Sequence, residues 1–195
     1  MAGRTRTLEP PVIAGQTAEL ANLSIAGEKF RLCRLPDMDR LLDQIDPAEF
    51  ARDERMPYWA EPWLAGLIAK RADLGGRALL ELGCGLGLPS IVTARKGARV
   101  TASDYFPEAL ALLEVNTALN GVRLRTRLFD WRTEQDIGQY DFVVAADVLY
   151  EAWQVAAVVD LLRRTVSAEG PGGRRRPRSG HRERIRQQGN LGGLT

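Results

Sequence analysis

Histidine is almost missing from this chain: His181 is the only one in 195 residues. That leaves no basis for a histidine triad or a multi-histidine metal site. Cysteine is scarce as well. Cys33 and Cys84 make neither a disulfide framework nor a metal-ligand spacing, which fits a reducing compartment and speaks against structural zinc or any other metal site. Long hydrophobic runs are absent too. The most apolar stretch, Phe142 to Leu162, is broken by Asp147, Glu151 and Asp160, and so reads as a strand followed by a helix, not a membrane span. The N-terminus lacks a basic segment followed by an apolar core of roughly 7–15 residues, so no secretory signal is expected. The expected address is the cytoplasm. Charge of one sign is lacking overall, with a net +2, but the balance is uneven. Residues 170–195 hold seven arginines and one glutamate, +6, which leaves the rest of the chain at −4.

What is present suits one soluble α/β domain. Hydrophobic content of 45% and charged content of 27% are those of an ordinary globular protein of this length. Residues 1–22, with Arg4, Arg6, Pro10 and Pro11 and little periodicity, read as a loose arm. Leu23-Ser24-Ile25 and Phe30-Arg31-Leu32 flank Ala26-Gly27-Glu28-Lys29 and predict a hairpin. A short helix is expected over Asp39–Ile45, and another from Leu64 to about Ala72. Strand and helix then alternate. Strands are expected at Arg77–Leu82, Ala98–Ser103, Leu124–Phe129 and Asp141–Ala146, the last apolar enough to be buried on both faces. Helices are expected at Leu88–Lys96, from Pro107 to Asn120, and at Ala152–Val166 with Val155, Val158, Val159 and Leu162 as its inner stripe. Repeated βα units imply a doubly wound parallel sheet.

The chemistry concentrates at the predicted strand ends, where open α/β sheets bind ligands. Glu81 ends the first strand, and Gly83, Gly85 and Gly87 follow at alternate positions before a helix. Asp104 lies 21 residues after Gly83, about the distance at which a carboxylate reaches ribose hydroxyls. A charge-assisted bond of that kind is worth roughly 1.5–3 kcal/mol. Asp104 before Pro107 is also a candidate helix cap. Asp130-Trp131, after the third strand, offers an acceptor and an apolar wall for an adenine. A dinucleotide fingerprint wants a glycine three positions after Gly85, and Leu88 stands there. With Glu81 so close, phosphates would be repelled and a cation welcomed. S-adenosylmethionine carries an ammonium and a sulfonium and no phosphate. A nicotinamide cofactor is therefore the weaker expectation.

Leu80-Glu81-Leu82-Gly83-Cys84-Gly85-Leu86-Gly87 resembles the first motif of the seven-strand class I methyltransferases. Pro57-Tyr58-Trp59-Ala60-Glu61-Pro62-Trp63, Asp104-Tyr105, Asp130-Trp131 and Asp147-Val148-Leu149-Tyr150-Glu151 narrow the match. Together they are similar to the protein-lysine and nicotinamide N-methyltransferase-like proteins, among them the electron-transfer-flavoprotein lysine methyltransferase, over about residues 23–168. The resemblance implies a Rossmann-like doubly wound sheet and S-adenosylmethionine as cofactor. It places Gly83, Gly85, Gly87 and Glu81 at the methionine part, Asp104 with Tyr105 at the ribose, and Asp130 and Trp131 at the adenine. Trp59 would close over the cofactor, and Asp147 and Tyr150 would stand beside the acceptor amine. Trp59 and Trp63, at helical spacing, also suit core packing. The implied activity is N-methylation of protein lysine. The alternatives are a small-molecule, nicotinamide-like acceptor and a truncated, non-catalytic cofactor-binding protein.

The departure from the family falls at residues 170–195, where only Ile185, Leu191 and Leu194 are large and apolar. The methyltransferase domain is thus expected over 23–169, lacking its C-terminal strands, with a disordered tail. Without an aromatic residue, that basic tail is not expected to bind nucleic acid. A reading-frame shift offers a further account. If these arginines use CGN codons, moving the frame by one nucleotide from Gly170 permits Gly-Arg-Val-Val-Val-Ala-Asp-Pro, a sequence suited to a buried strand.

Overall fold

The computed structural model describes residues 10–43, 74–133, 136–145, 148 and 152–167. The helix expected at 64–72 and the tail from 168 lie outside them, as do Trp59, Asp147 and Tyr150. Four described strands form one parallel sheet in the order β7-β6-β5-β8: β5 (Ala78–Leu82), β6 (Arg99–Asp104), β7 (Arg125–Leu128) and β8 (Phe142–Ala145). Central β5 is buried at every position, four of its five residues being apolar and the fifth Glu81. It pairs Glu81 with Ala102 on one side and with Val144 on the other.

Side chains alternate across β5, so each face takes a different set of helices. Leu80 and Leu82 pack with Phe129, Ile137 and Leu161, the last from helix α4 (Ala152–Thr165). On the opposite face Leu79 packs with Ala98, Val100 and Ala94 beside helix α2 (Leu88–Arg95). Leu113 of helix α3 (Pro107–Leu119) meets Ala102 and Cys84. Helices on both faces of a parallel sheet give the Rossmann-like architecture expected from the βα repeats.

An antiparallel hairpin, β3 (Glu19–Ile25) and β4 (Glu28–Arg34), lies outside α2 and α3. Ala26 and Gly27 make its two-residue turn, with φ of 51° and 86°, the positive pair that matches strand twist. Two strands alone are marginal in water. Here Phe30 and Leu32 are buried against Leu88, Ile91 and Val92 of α2, a gain of about 1.5–3 kcal/mol each. Arg95 of α2 adds a cation over the Phe30 ring, 4.3 Å from its centroid, and a bond to the Lys29 carbonyl.

Three expectations change. Residues 12–22, read as part of a loose arm, are strands: β1 (Val12–Ile13) and β2 (Gln16–Thr17) pair, and β3 begins at Glu19. Their order comes from side-chain-to-backbone bonds that leave no hydrophobic period. Gln16, 3% exposed, donates to the Asp37 carbonyl and accepts from the Asp37 N–H. Asp37 in turn caps helix α1 (Met38–Leu42) by accepting from the Arg40 N–H. Second, β8 is half-buried rather than buried on both faces, because it is an edge strand among the described residues. Third, α4 turns Val158 and Leu161 inward, while Val155 (47%) and Val159 (41%) are exposed. A helix needs one stripe to cover a sheet, and the second apolar stripe of α4 has no cover among the described residues.

Candidate functional site

The strand ends at the C-terminal edge of the sheet bring most of the expected site residues together. β5 runs into Gly83, Gly85 and Gly87, whose φ values are all positive (62°, 50° and 74°). At two of them the space is also filled. A Cβ on Gly87 would stand 2.0 Å from Leu113 Cδ1, and one on Gly83 would stand 2.7 Å from Val148 Cγ1. Bare main chain is required there by shape and by conformation. The Gly83 contact also carries functional information. Val148, the one described residue of the Asp147–Tyr150 segment expected at the acceptor, touches the glycine turn.

Asp104 ends β6 and is 3% exposed. Its Oδ2 accepts from the Gly85 N–H at 3.0 Å and its Oδ1 from the Phe106 N–H at 3.0 Å. The residue therefore closes a tight turn onto Phe106 and holds the glycine turn at the same time; it is not the helix cap the sequence suggests, because Phe106 is the N-cap of α3 and no side chain caps it. Burial pushes its pKa up; the N–H donors of Phe106, Gly85 and Tyr105 oppose the rise. A carboxylate has about four lone-pair sites, so acceptor capacity remains for a diol.

Glu81 is placed differently from a carboxylate open to a ligand. It is 1% exposed and points beneath the turn, where the Ser90 hydroxyl of α2 donates to it. Burial raises its pKa from 4.5 to about 8, against the pull of the Ser90 bonds. Its charge is thus latent near neutral pH, and a cation arriving above the turn would favour the ionised form. A stability prediction follows from the sign. Between about pH 4.5 and 8 the unfolded chain has released a proton that the folded chain keeps, so stability falls as pH rises through that window and levels off above it. Glu81→Gln keeps an acceptor for Ser90 and cannot titrate. Its melting temperature should fall less between pH 5.5 and 8 than that of the wild type; equal slopes would remove Glu81 as the cause.

Cys84, within the turn, is buried, and its thiol pKa is driven up by that burial and by the Asp104 and Glu81 carboxyls. It packs and has no redox part. Asp130, beyond β7, is engaged by a residue the sequence reading missed. Arg132 donates to both its oxygens, Nε at 2.8 Å and Nη2 at 2.6 Å, and lies over the Tyr105 ring, 5.3 Å from the centroid. Arg132 so links the ends of β6 and β7; the Asp-x-Arg spacing was its only signal. The Trp131 indole packs against the cluster of Leu80, Leu82, Phe129, Ile137 and Leu161, and its Nε1 is buried without a partner among the described residues. The indole is half-buried, one part on the core and the rest left open.

A family model described as lysine methyltransferase matches residues 56–171. The chain belongs to the lysine methyltransferase family. Its methyltransferase sequence is 26% identical over 143 residues to the histidine protein methyltransferase 1 homolog of Dictyostelium discoideum, covering 69% of this chain and 46% of that protein. It is 34% identical over 110 residues to the ubiquinone biosynthesis O-methyltransferase of Xylella fastidiosa, covering 55% of this chain and 43% of that protein. The chain thus spans less than half the length of these two relatives. The T. thermophilus 16S rRNA methyltransferase RsmC, solved with AdoMet and guanosine, superposes with a TM-score of 0.52 at 19% identity, over 82% of this chain and 41% of that one. That likeness is one of fold, and it is the class I methyltransferase fold the first motif implied. No helix among the described residues is long and apolar enough to cross a membrane.

Proposed function

We propose that this methyltransferase binds S-adenosylmethionine across the glycine turn and methylates an amine, with protein lysine the leading acceptor. The observation that carries the reading is the contact of Val148 with Gly83, which joins the cofactor turn to the Asp147–Tyr150 segment. The chemistry at the strand ends fits the cofactor. Asp104 and Asp130 stand at those ends, Arg132 is already bonded to Asp130, and Glu81 lies beneath the turn on Ser90. Such a set suits a phosphate-free cation and disfavours a pyrophosphate.

S-adenosylmethionine supplies a methyl group on a sulfonium, open to in-line attack by a neutral amine. Positioning and exclusion of water do most of the work in such a transfer. Gly83, Gly85 and Gly87 admit the methionine part against bare backbone, with Glu81 beneath. Asp104 takes the ribose hydroxyls through its remaining acceptor capacity, with Tyr105 beside it. Asp130, clamped by Arg132, stands at the adenine end and Trp131 supports it from the core side. Trp59 closes over the cofactor, and aromatic faces there or at Tyr150 favour the cationic centre by roughly 0.5–2 kcal/mol. Asp147 and Tyr150 orient the acceptor nitrogen, and the Asp147 carboxylate takes the single proton that nitrogen sheds, directly or through water.

A small-molecule acceptor is the second reading, favoured by the match to the ubiquinone O-methyltransferase. Incubation of the purified chain with radiolabelled S-adenosylmethionine and a cell lysate separates the two. Label in the protein fraction, recovered as methyl-lysine after hydrolysis, supports the leading reading. Label in small molecules supports the second, and no transfer despite binding identifies a non-catalytic cofactor-binding chain. In the same assay Tyr150→Phe should slow turnover about tenfold while leaving cofactor affinity unchanged, the pattern of a group that acts only on the reacting acceptor.

We read residues 23–169 as the methyltransferase unit. The half-buried β8 and the exposed Val155 and Val159 support a further strand beside β8. If the tail arginines use CGN codons, the alternative reading frame from Gly170 permits one, and resequencing the gene tests it.

A further inference from the structure

We propose that Asn116 is a positioning residue for the cofactor turn, coupling the seating of the β3–β4 hairpin to the shape of the glycine backbone. The proposal rests on the S-adenosylmethionine site described above and adds to it a residue far from the strand ends in sequence. Asn116 is 0% exposed on the inner stripe of α3, in register with Ala109, Leu112 and Leu113. A primary amide in that position is costly unless every polar atom is bonded. Each is. Oδ1 accepts from the Cys33 N–H at 2.6 Å, and Nδ2 donates to the Cys33 carbonyl and to the Leu86 carbonyl, both at 3.1 Å.

The bond to Leu86 is the functional one. Leu86 lies between Gly85 and Gly87, so fixing its carbonyl fixes the peptide plane that enters Gly87. Asp104 fixes the peptide plane that enters Gly85 from the other side. The turn is thereby pinned at two successive points, one from β6 and one from α3. The Leu86 side chain, 2% exposed, packs with Ala18, Cys33, Leu35 and Leu41 from the N-terminal strands and α1, so the same residue reports hairpin docking to the turn.

The helix carries its own control. One turn further on, Asn120 makes the same two-bond clasp on Arg31, accepting from its N–H at 3.1 Å and donating to its carbonyl at 2.6 Å. It also accepts from Arg95 and donates to the Asn116 main-chain carbonyl at 2.8 Å, a bond that Asn116→Ala leaves in place. No atom of the glycine turn is among its partners.

Wild-type affinity for S-adenosylmethionine is measured first; the absence of saturable binding would overturn the cofactor reading and this proposal with it. Given binding, Asn116→Ala should weaken affinity at least tenfold more than Asn120→Ala, at a temperature where both are folded. Equal losses in the two variants would overturn the positioning role and leave two structural clasps. If Asn116→Ala does not fold, amide hydrogen exchange in the wild type decides. Linkage is reciprocal, so saturating S-adenosylhomocysteine should slow exchange at the Cys33 amide, bonded to Asn116, more than at the Arg31 amide, bonded to Asn120. The same protection at both amides, or none at Cys33, would contradict the proposal.

Discussion

Replacing Asp104 with alanine is expected to weaken S-adenosylmethionine binding at least about 100-fold, roughly 3 kcal/mol. The substitution removes the acceptor of the Gly85 N–H and that of the Phe106 N–H. It also removes the carboxylate proposed to hold the ribose, and charge-assisted bonds are worth about 1.5–3 kcal/mol each. The effect on folding should be smaller. Keeping a carboxyl buried carries a desolvation cost that its removal relieves, so the folded chain loses less than the bond count suggests. Asp104→Asn keeps an acceptor and drops the charge, and should fall between alanine and wild type. Calorimetric titration beside thermal melts checks both. An alanine variant that melts lower yet binds normally would show that Asp104 only supports the turns at Gly85 and Phe106.

Gly87→Ala should be the most destabilising small change in the site. The added methyl would lie 2.0 Å from Leu113 Cδ1 and 3.2 Å from its Cγ. Leu113 is fully buried beside Cys84 and Ala102, so moving its Cδ1 aside disturbs that cluster. A non-glycine residue in the left-handed region costs about 1–2 kcal/mol, and overpacking adds about 1–3 kcal/mol. At this chain length the melting temperature falls by about 2–4 °C per kcal/mol, so a drop of roughly 10 °C is expected. Gly76 isolates the backbone term: its φ is 68°, and a Cβ there meets nothing within 4 Å. Gly76→Ala should therefore lower the melting temperature by only a few degrees. Equal drops in the two variants would mean that Leu113 yields, and that the close approach at Gly87 does not matter.

The strands of the sheet and the glycine turn were readable because their signals are local. β5 is apolar at all but Glu81, and the helix after Pro107 stops at Asn120-Gly121 much as expected. Edges were harder to read. Phe142–Ala145 looks the same in sequence whether it has neighbours on one side or two, and Val155 and Val159 have the right period to face inward without doing so. Polar partnerships were the least visible. Glu81 was read as a charge facing the ligand, whereas Ser90, nine residues on, turns it under the loop. The Asn116 clasp spans 83 residues to Cys33 and 30 to Leu86, so no window of sequence contains it. One clue was available: an amide on the apolar stripe of α3 must be bonded to something.

Calorimetric titration of the whole chain with S-adenosylmethionine, and separately with NAD, bears most directly on the account. One saturable site per chain for the sulfonium cofactor and none for the dinucleotide is the predicted outcome. Binding of NAD with none of S-adenosylmethionine would contradict it.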